Sequence, residues 1–145
     1  MFGRPPKLSA LDDALLEVVT DAVPRGSAHI ERSWSADERC WLVTVTPNDP
    51  DACPFALGAR PRDEVRFVVG GTTFDLYGVR RSADLGFTRR LVEAIIAGRV
   101  EESGSGRSSQ VRLALDRKET YVGGRTRVRA PWPLRSAPRT FARYA

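Results

Sequence analysis

Residues Glu64–Gly78 read EVRFVVGGTTFDLYG, and this stretch decides the fold. Two alternating runs flank Gly70-Gly71, and a two-residue glycine loop between such runs is a strong local signal for a β-hairpin. A hairpin closed there sets Val69 opposite Thr72, Phe67 opposite Phe74 and Val65 opposite Leu76 on one face. Its other face pairs Arg66 with Asp75 and Val68 with Thr73. One register thus matches aromatic with aromatic, apolar with apolar and positive with negative, so side-chain pattern and turn chemistry agree. That agreement argues for a fold and says nothing of an activity.

Toward the N-terminus, the pattern predicts a helix over Ala10–Val23. Ser9 and Asp12 have the spacing of a capping box, and Leu11, Leu15, Val18, Val19 and Ala22 fall on one stripe. Asp12, Asp13, Glu17 and Asp21 hold its wet side, and Pro24 and Gly26 end it. A second hairpin is expected from Ala28–Trp34 and Arg39–Thr46 around a four-residue turn, with Trp41 opposite Arg32. Arg32, Trp34 and Trp41 would then share a face. Guanidinium groups stack on indoles, which suits a recognition surface. The alternation of Trp41, Val43 and Val45 favours a core face instead, its rim arginines covering the rings with their methylene stems. Residues 47–62 carry four prolines and predict an irregular crossing with a short edge strand at Phe55–Leu57, where proline is tolerated. Asp49 and Asp51 do not begin a calcium loop, because the glycine and closing glutamate are missing at their offsets.

Toward the C-terminus, a second helix is expected at Leu85–Ala97, with Gly98 as its left-handed cap. Arg80, Arg81, Arg89 and Arg90 gather near its start, where the helix dipole disfavours cations. Such a cluster either marks a binding site or pairs with acids such as Asp84 and Glu93. Strands follow at Arg99–Glu102, Gln110–Leu115 and Thr120–Val122. The SGSGRSS sequence that begins at Ser103 has neither nucleophile-elbow nor Walker spacing, and reads as a hairpin loop.

A chain of 145 residues is one domain by default. Its 41% hydrophobic and 28% charged content is ordinary for a soluble globular protein. The net charge of +5 belongs to the end of the chain. Glu119 is the last acid, and residues 1–119 carry 17 basic against 18 acidic residues, a net of −1. Arg125, Arg127, Arg129, Arg135, Arg139 and Arg143 follow without compensation. Lys7 and Lys118 are the only lysines, a bias that reads as GC-rich coding rather than chemistry. No apolar run has the length of a secretory core or a membrane span, so the expectation is a cytoplasmic protein without a membrane partner. Cys40 and Cys53 then read as reduced, buried thiols, with a disulfide as the lesser alternative, and with only His29 for company they make no zinc site.

Catalysis requires a positioned acid, base, nucleophile, metal or cofactor. The chain has one histidine, no metal-ligand spacing and no cofactor motif. Glu101 and Glu102 are neighbours, but on a strand they point to opposite faces and form no dyad. The expectation is therefore a non-enzymatic protein with no catalytic residue, no cofactor and no metal. Its fold class is α+β: a mostly antiparallel sheet of about six strands with two helices, in the order α-β-β-β-β-α-β-β. Residues 1–122 form the domain and residues 123–145, GGRTRVRAPWPLRSAPRTFARYA, a basic extension containing prolines and aromatics. Interleaved arginines and aromatics suit either packing against the protein's own body or docking on a partner. Candidates for partner contact are Arg125, Arg127, Arg129, Trp132, Arg135, Arg139, Phe141, Arg143 and Tyr144. A secondary set is Arg32, Trp34, Trp41, Arg80, Arg81, Arg89 and Arg90. The function these suggest is an accessory module of the immunity, adaptor, chaperone or assembly type that docks on a protein. The alternative is a nucleic-acid-associated protein that holds phosphates through its arginine tail.

Overall fold

The Gly70-Gly71 loop closes its hairpin in the expected register. The computed structural model describes residues 4–104, 109–124 and 138–145. In chain order it runs α1 (Ala10–Ala22), β1 (Ala28–Ser35), β2 (Cys40–Pro47), β3 (Phe55–Arg60), β4 (Glu64–Val69) and β5 (Thr72–Tyr77). A single 3-10 turn at Ser82–Asp84 then leads to α2 (Gly86–Ile96), β6 (Val100–Ser103), β7 (Gln110–Ala114), β8 (Thr120–Gly124) and β9 (Arg139–Thr140). Val69 faces Thr72, Phe67 faces Phe74 and Arg66 faces Asp75 across the β4–β5 ladder. The positive φ falls on Gly70, at 59°, and not on Gly71, the pattern of a type II′ turn with glycine at its first central position. The Phe67 and Phe74 rings stack at 5.1 Å.

The class is α+β in the expected order, with nine antiparallel strands among the described residues rather than about six. They form two sheets, one ordered β1-β2-β3-β4-β5 and one ordered β8-β7-β6-β9. Three local expectations change. First, β3 is not an edge strand: it pairs with β2 on one side and β4 on the other. Pro54 and Pro61 bracket it without entering it, so no ladder hydrogen bond is lost. Second, the β1–β2 register is shifted by two residues, so that Trp41 faces Trp34 and Arg32 faces Val43. Arg39 leaves the ladder for the turn, at a φ of 54°. An even shift keeps every side chain on its expected face. Third, Asp12 is buried rather than wet, because its carboxylate turns back to accept from the Ser9 N–H at 2.8 Å. Ser9 Oγ in turn accepts from the Asp12 N–H, completing the capping box.

Both helices share a core with the two sheets. Leu15, Val18 and Val19 of α1 and Leu91 and Ile95 of α2 join Val43, Leu57, Val65 and Phe67 of the larger sheet and Val111 and Leu113 of the smaller. The end of the chain completes this core. β9 pairs with β6, the Ala142 N–H donates to Asp51 O and the Tyr144 N–H donates to Ile96 O, both at 2.8 Å. Phe141 and Tyr144 are buried, and the Tyr144 hydroxyl donates to the Cys53 carbonyl. Gly98, at a φ of 75°, ends α2 where a Cβ would stand 2.7 Å from the Arg143 nitrogen.

Glu102 ties the sheets together. Its carboxylate accepts from the Gly71 N–H at 2.7 Å and from the buried Thr72 hydroxyl at 2.8 Å. Two stability changes are expected in urea denaturation. Phe141→Ala should cost about 3–5 kcal/mol, as for other buried aromatics. A loss below about 1 kcal/mol would show that the C-terminal residues add little to the body. Glu102→Ala should cost about 2 kcal/mol by leaving the buried Thr72 hydroxyl unmatched and trading the charged acceptor of the Gly71 N–H for water, whereas Glu101→Ala, at its exposed neighbour, should stay within about 0.5 kcal/mol.

Candidate functional site

β5 ends the larger sheet and β8 ends the smaller, and the two strands meet at a corner without a ladder between them. Phe74 of β5 packs on Tyr121 of β8 with ring centroids 5.4 Å apart, and Tyr121 also meets Phe87 of α2 edge-on. Gly123 makes the approach possible, because a Cβ there would lie 2.8 Å from the Phe74 ring. A cleft of ≈ 520 Å³ opens beside this corner. Glu38, Arg66 and Asp75 line it, with Thr73 and Tyr77 of β5, Val122, Gly123 and Gly124 of β8, and Ser109. Tyr77 and Val122 are 74% and 49% exposed.

Arg66 makes three hydrogen bonds to two carboxylates. Its Nε donates to Asp75 Oδ1 at 2.8 Å, one terminal nitrogen donates to Asp75 Oδ2 at 2.9 Å, and the other donates to Glu38. These bonds, the pair with Asp75 first, raise the pKa of the guanidinium against the opposing effect of its burial. Arg60 adds a hydrogen bond to the Glu38 carbonyl at 3.0 Å and lies 3.8 Å from Glu64 and 3.9 Å from Asp75. The pairing of Arg66 with Asp75 was legible from the hairpin register. Glu38, Tyr77, Tyr121 and Val122 were not singled out, because only the folding of β8 against β5 brings them together.

The residues named from sequence do not converge on one place. Arg32 pairs with Asp13 of α1 at 2.9 Å. Trp34 and Trp41 meet edge-on at 5.8 Å, and the Trp41 indole N–H donates to the Pro6 carbonyl. Arg80 reaches Asp63 at 3.2 Å, while Asp84 accepts from the backbone N–H groups of Arg80 and Arg81. Arg89 lies 3.9 Å from Asp21, and Arg90 lies 3.0 Å from Glu119 and 3.4 Å from Asp116. The side chains of Arg80, Arg89 and Arg90 therefore disperse to four acids in three separate places. Arg139 sits over the Phe141 ring at 4.8 Å, Arg143 is exposed, and Phe141 and Tyr144 belong to the core. Arg125, Arg127, Arg129, Trp132 and Arg135 lie outside the described residues. Among the described residues no cluster of histidine, cysteine and carboxylate side chains could hold a metal ion.

Cys40 and Cys53 are free, buried thiols. Burial pushes Cys40 up to about 11 and Cys53 up to about 12, from an ordinary value of 9.0. Below pH 9 the folded and unfolded chains both keep these protons, and the contribution to stability is whole. As pH rises from 9 toward 12 the unfolded thiols ionise first, so stability falls. The urea midpoint should therefore drop between pH 8 and about 10.5, and drop less in Cys53→Ala. An equal drop in both proteins would assign the alkaline loss to other groups. No family model, curated protein or solved structure matches the chain.

Proposed function

We propose that the protein is a non-enzymatic binding module that docks on a protein partner, in the manner of an immunity, adaptor, chaperone or assembly protein. One observation carries this reading. Of the three exposed large apolar side chains among the described residues, Tyr77 and Val122 lie on the rim of the same cleft. Tyrosine is enriched at interfaces because its ring is apolar and its hydroxyl remains satisfied at a wet rim. Beneath them the Arg66–Asp75–Glu38 group holds its shape before any partner arrives, which lowers the ordering cost of association. The test is affinity capture from the native host at low and moderate salt. The wild type should recover a stoichiometric protein that a folded Tyr77→Arg, Val122→Arg double variant loses. Recovery of no such protein at either salt would remove the reading.

A second reading rests on the six arginines beyond Glu119. If each neutralises one phosphate of duplex DNA, log affinity should fall against log salt with a slope of roughly −5, from about −0.9 per contact. The net charge of −1 on residues 1–119 weighs against this reading, since nucleic-acid domains commonly carry a basic face on the fold itself. A slope near zero in a titration with labelled duplex would dispose of it.

A further inference from the structure

We infer that the partner binds as an extended segment that adds a strand to the free edge of β5. This inference rests on the protein-docking reading and names the form of the partner. The occupant is an alternating segment of another protein, with one basic side chain over the Glu38–Asp75 carboxylates and apolar side chains toward Val122.

The hairpin sets the phase of that edge. A two-residue loop makes its flanking residues, Val69 and Thr72, a hydrogen-bonded pair, and such pairs alternate with non-bonded ones along an antiparallel ladder. Thr73, Asp75 and Tyr77 are therefore the β5 residues whose N–H and C=O groups point away from β4. The same three residues line the cleft. Among the described residues none of these backbone groups has a hydrogen-bond partner, and β8 approaches without forming a ladder. Edge strands are ordinarily blunted by charge, proline or a bulge. The opposite edge, β1, carries the exposed Glu31, whereas the one charge on β5, Asp75, is engaged by Arg66.

Charge and shape specify the occupant. Glu38, Glu64 and Asp75 face Arg60 and Arg66, so one negative charge is left over in a half-buried group. A single arginine or lysine of the incoming strand balances it. Strand alternation then turns the neighbouring side chains to the opposite face, toward the exposed Val122. Main-chain bonds supply affinity in this mode, and the alternate side chains supply selectivity.

The probe is the acetylated and amidated hexapeptide Thr-Val-Arg-Val-Thr-Val, titrated into the isotope-labelled full chain. Its controls are an Arg-to-Glu peptide and a peptide methylated on alternate backbone nitrogens. The basic peptide should slow amide exchange at Thr73, Asp75 and Tyr77 at least tenfold. The glutamate peptide should bind at least tenfold more weakly, and one phase of methylation should abolish binding. No binding, binding without protection of these amides, or equal binding of the glutamate peptide would each overturn the inference. So would peptide binding that emerges only when residues 125–137 are replaced by a Gly-Ser linker, since the occupant would then be the chain's own segment. Thr73→Pro separates this idea from the reading beneath it, because the Thr73 N–H takes no part in the β4–β5 ladder. A captured partner that the Tyr77, Val122 variant loses but Thr73→Pro retains leaves docking in place and ends strand addition. Peptide protection with no protein captured does the reverse.

Discussion

The Glu102 carboxylate holds the turn of one sheet from a strand of the other, and the shape of the molecule follows from that grip. A glycine turn tip exposes a backbone N–H that water would otherwise satisfy. Here the acceptor is a charged oxygen from β6, which also takes the proton of the buried Thr72 hydroxyl. Hydrogen bonds to charged groups are about twice as strong as neutral ones. Gly70 contributes twice, through its positive φ and through the missing Cβ that would meet Glu102 at 2.8 Å. Beside that point β8 lies against Phe74, and glycine at position 123 is what lets it. The corner and its cleft are consequences of packing, not of any one strand's preference.

Among the described residues, arginines pair with acids in two different settings. Arg80, Arg89 and Arg90 pair at exposed positions with acids on neighbouring elements. Pairs of that kind contribute little to stability. Arg66 is different, since it is mostly shielded and engages Asp75 through two parallel hydrogen bonds. Removing one member of such a group leaves an unbalanced charge in a poorly solvated place. The arrangement specifies geometry more than it adds stability: it fixes the β1–β2 turn, through Glu38, over the outer face of β4 and β5.

What was legible in the sequence is what local chemistry decides. The central hairpin, the Ser9 cap and both helices were readable because turn, pattern and capping signals coincide within a few residues. β3 was underestimated because the prolines around it masked a strand that neighbours on both sides complete. The two-residue shift in β1–β2 hinged on the left-handed turn conformation of Arg39, which arginine rarely adopts. Phe141 and Tyr144 read both as packing and as contact residues, because they stand among arginines in a proline-containing stretch. The partners of Tyr144, which are Cys53, Phe55 and Ile96, are 48 to 91 positions away, and no pattern within the stretch points to them. The cleft was illegible for the same reason, since its walls come from hairpins on either side of α2.

The placement of charge narrows what the cleft can accept. Its floor carries a small negative excess, from Glu38 and Asp75 against Arg66. One basic side chain balances that excess, and a second would find no acid left to meet. A strongly acidic partner would be repelled by Glu38 and Asp75 where its backbone must come closest. A mostly neutral strand with one basic side chain fits the floor. Its affinity would then depend on main-chain pairing and apolar contact, and only weakly on salt. That is the opposite of phosphate binding, where released counterions dominate. Salt dependence therefore distinguishes the two readings of this chain more sharply than affinity does.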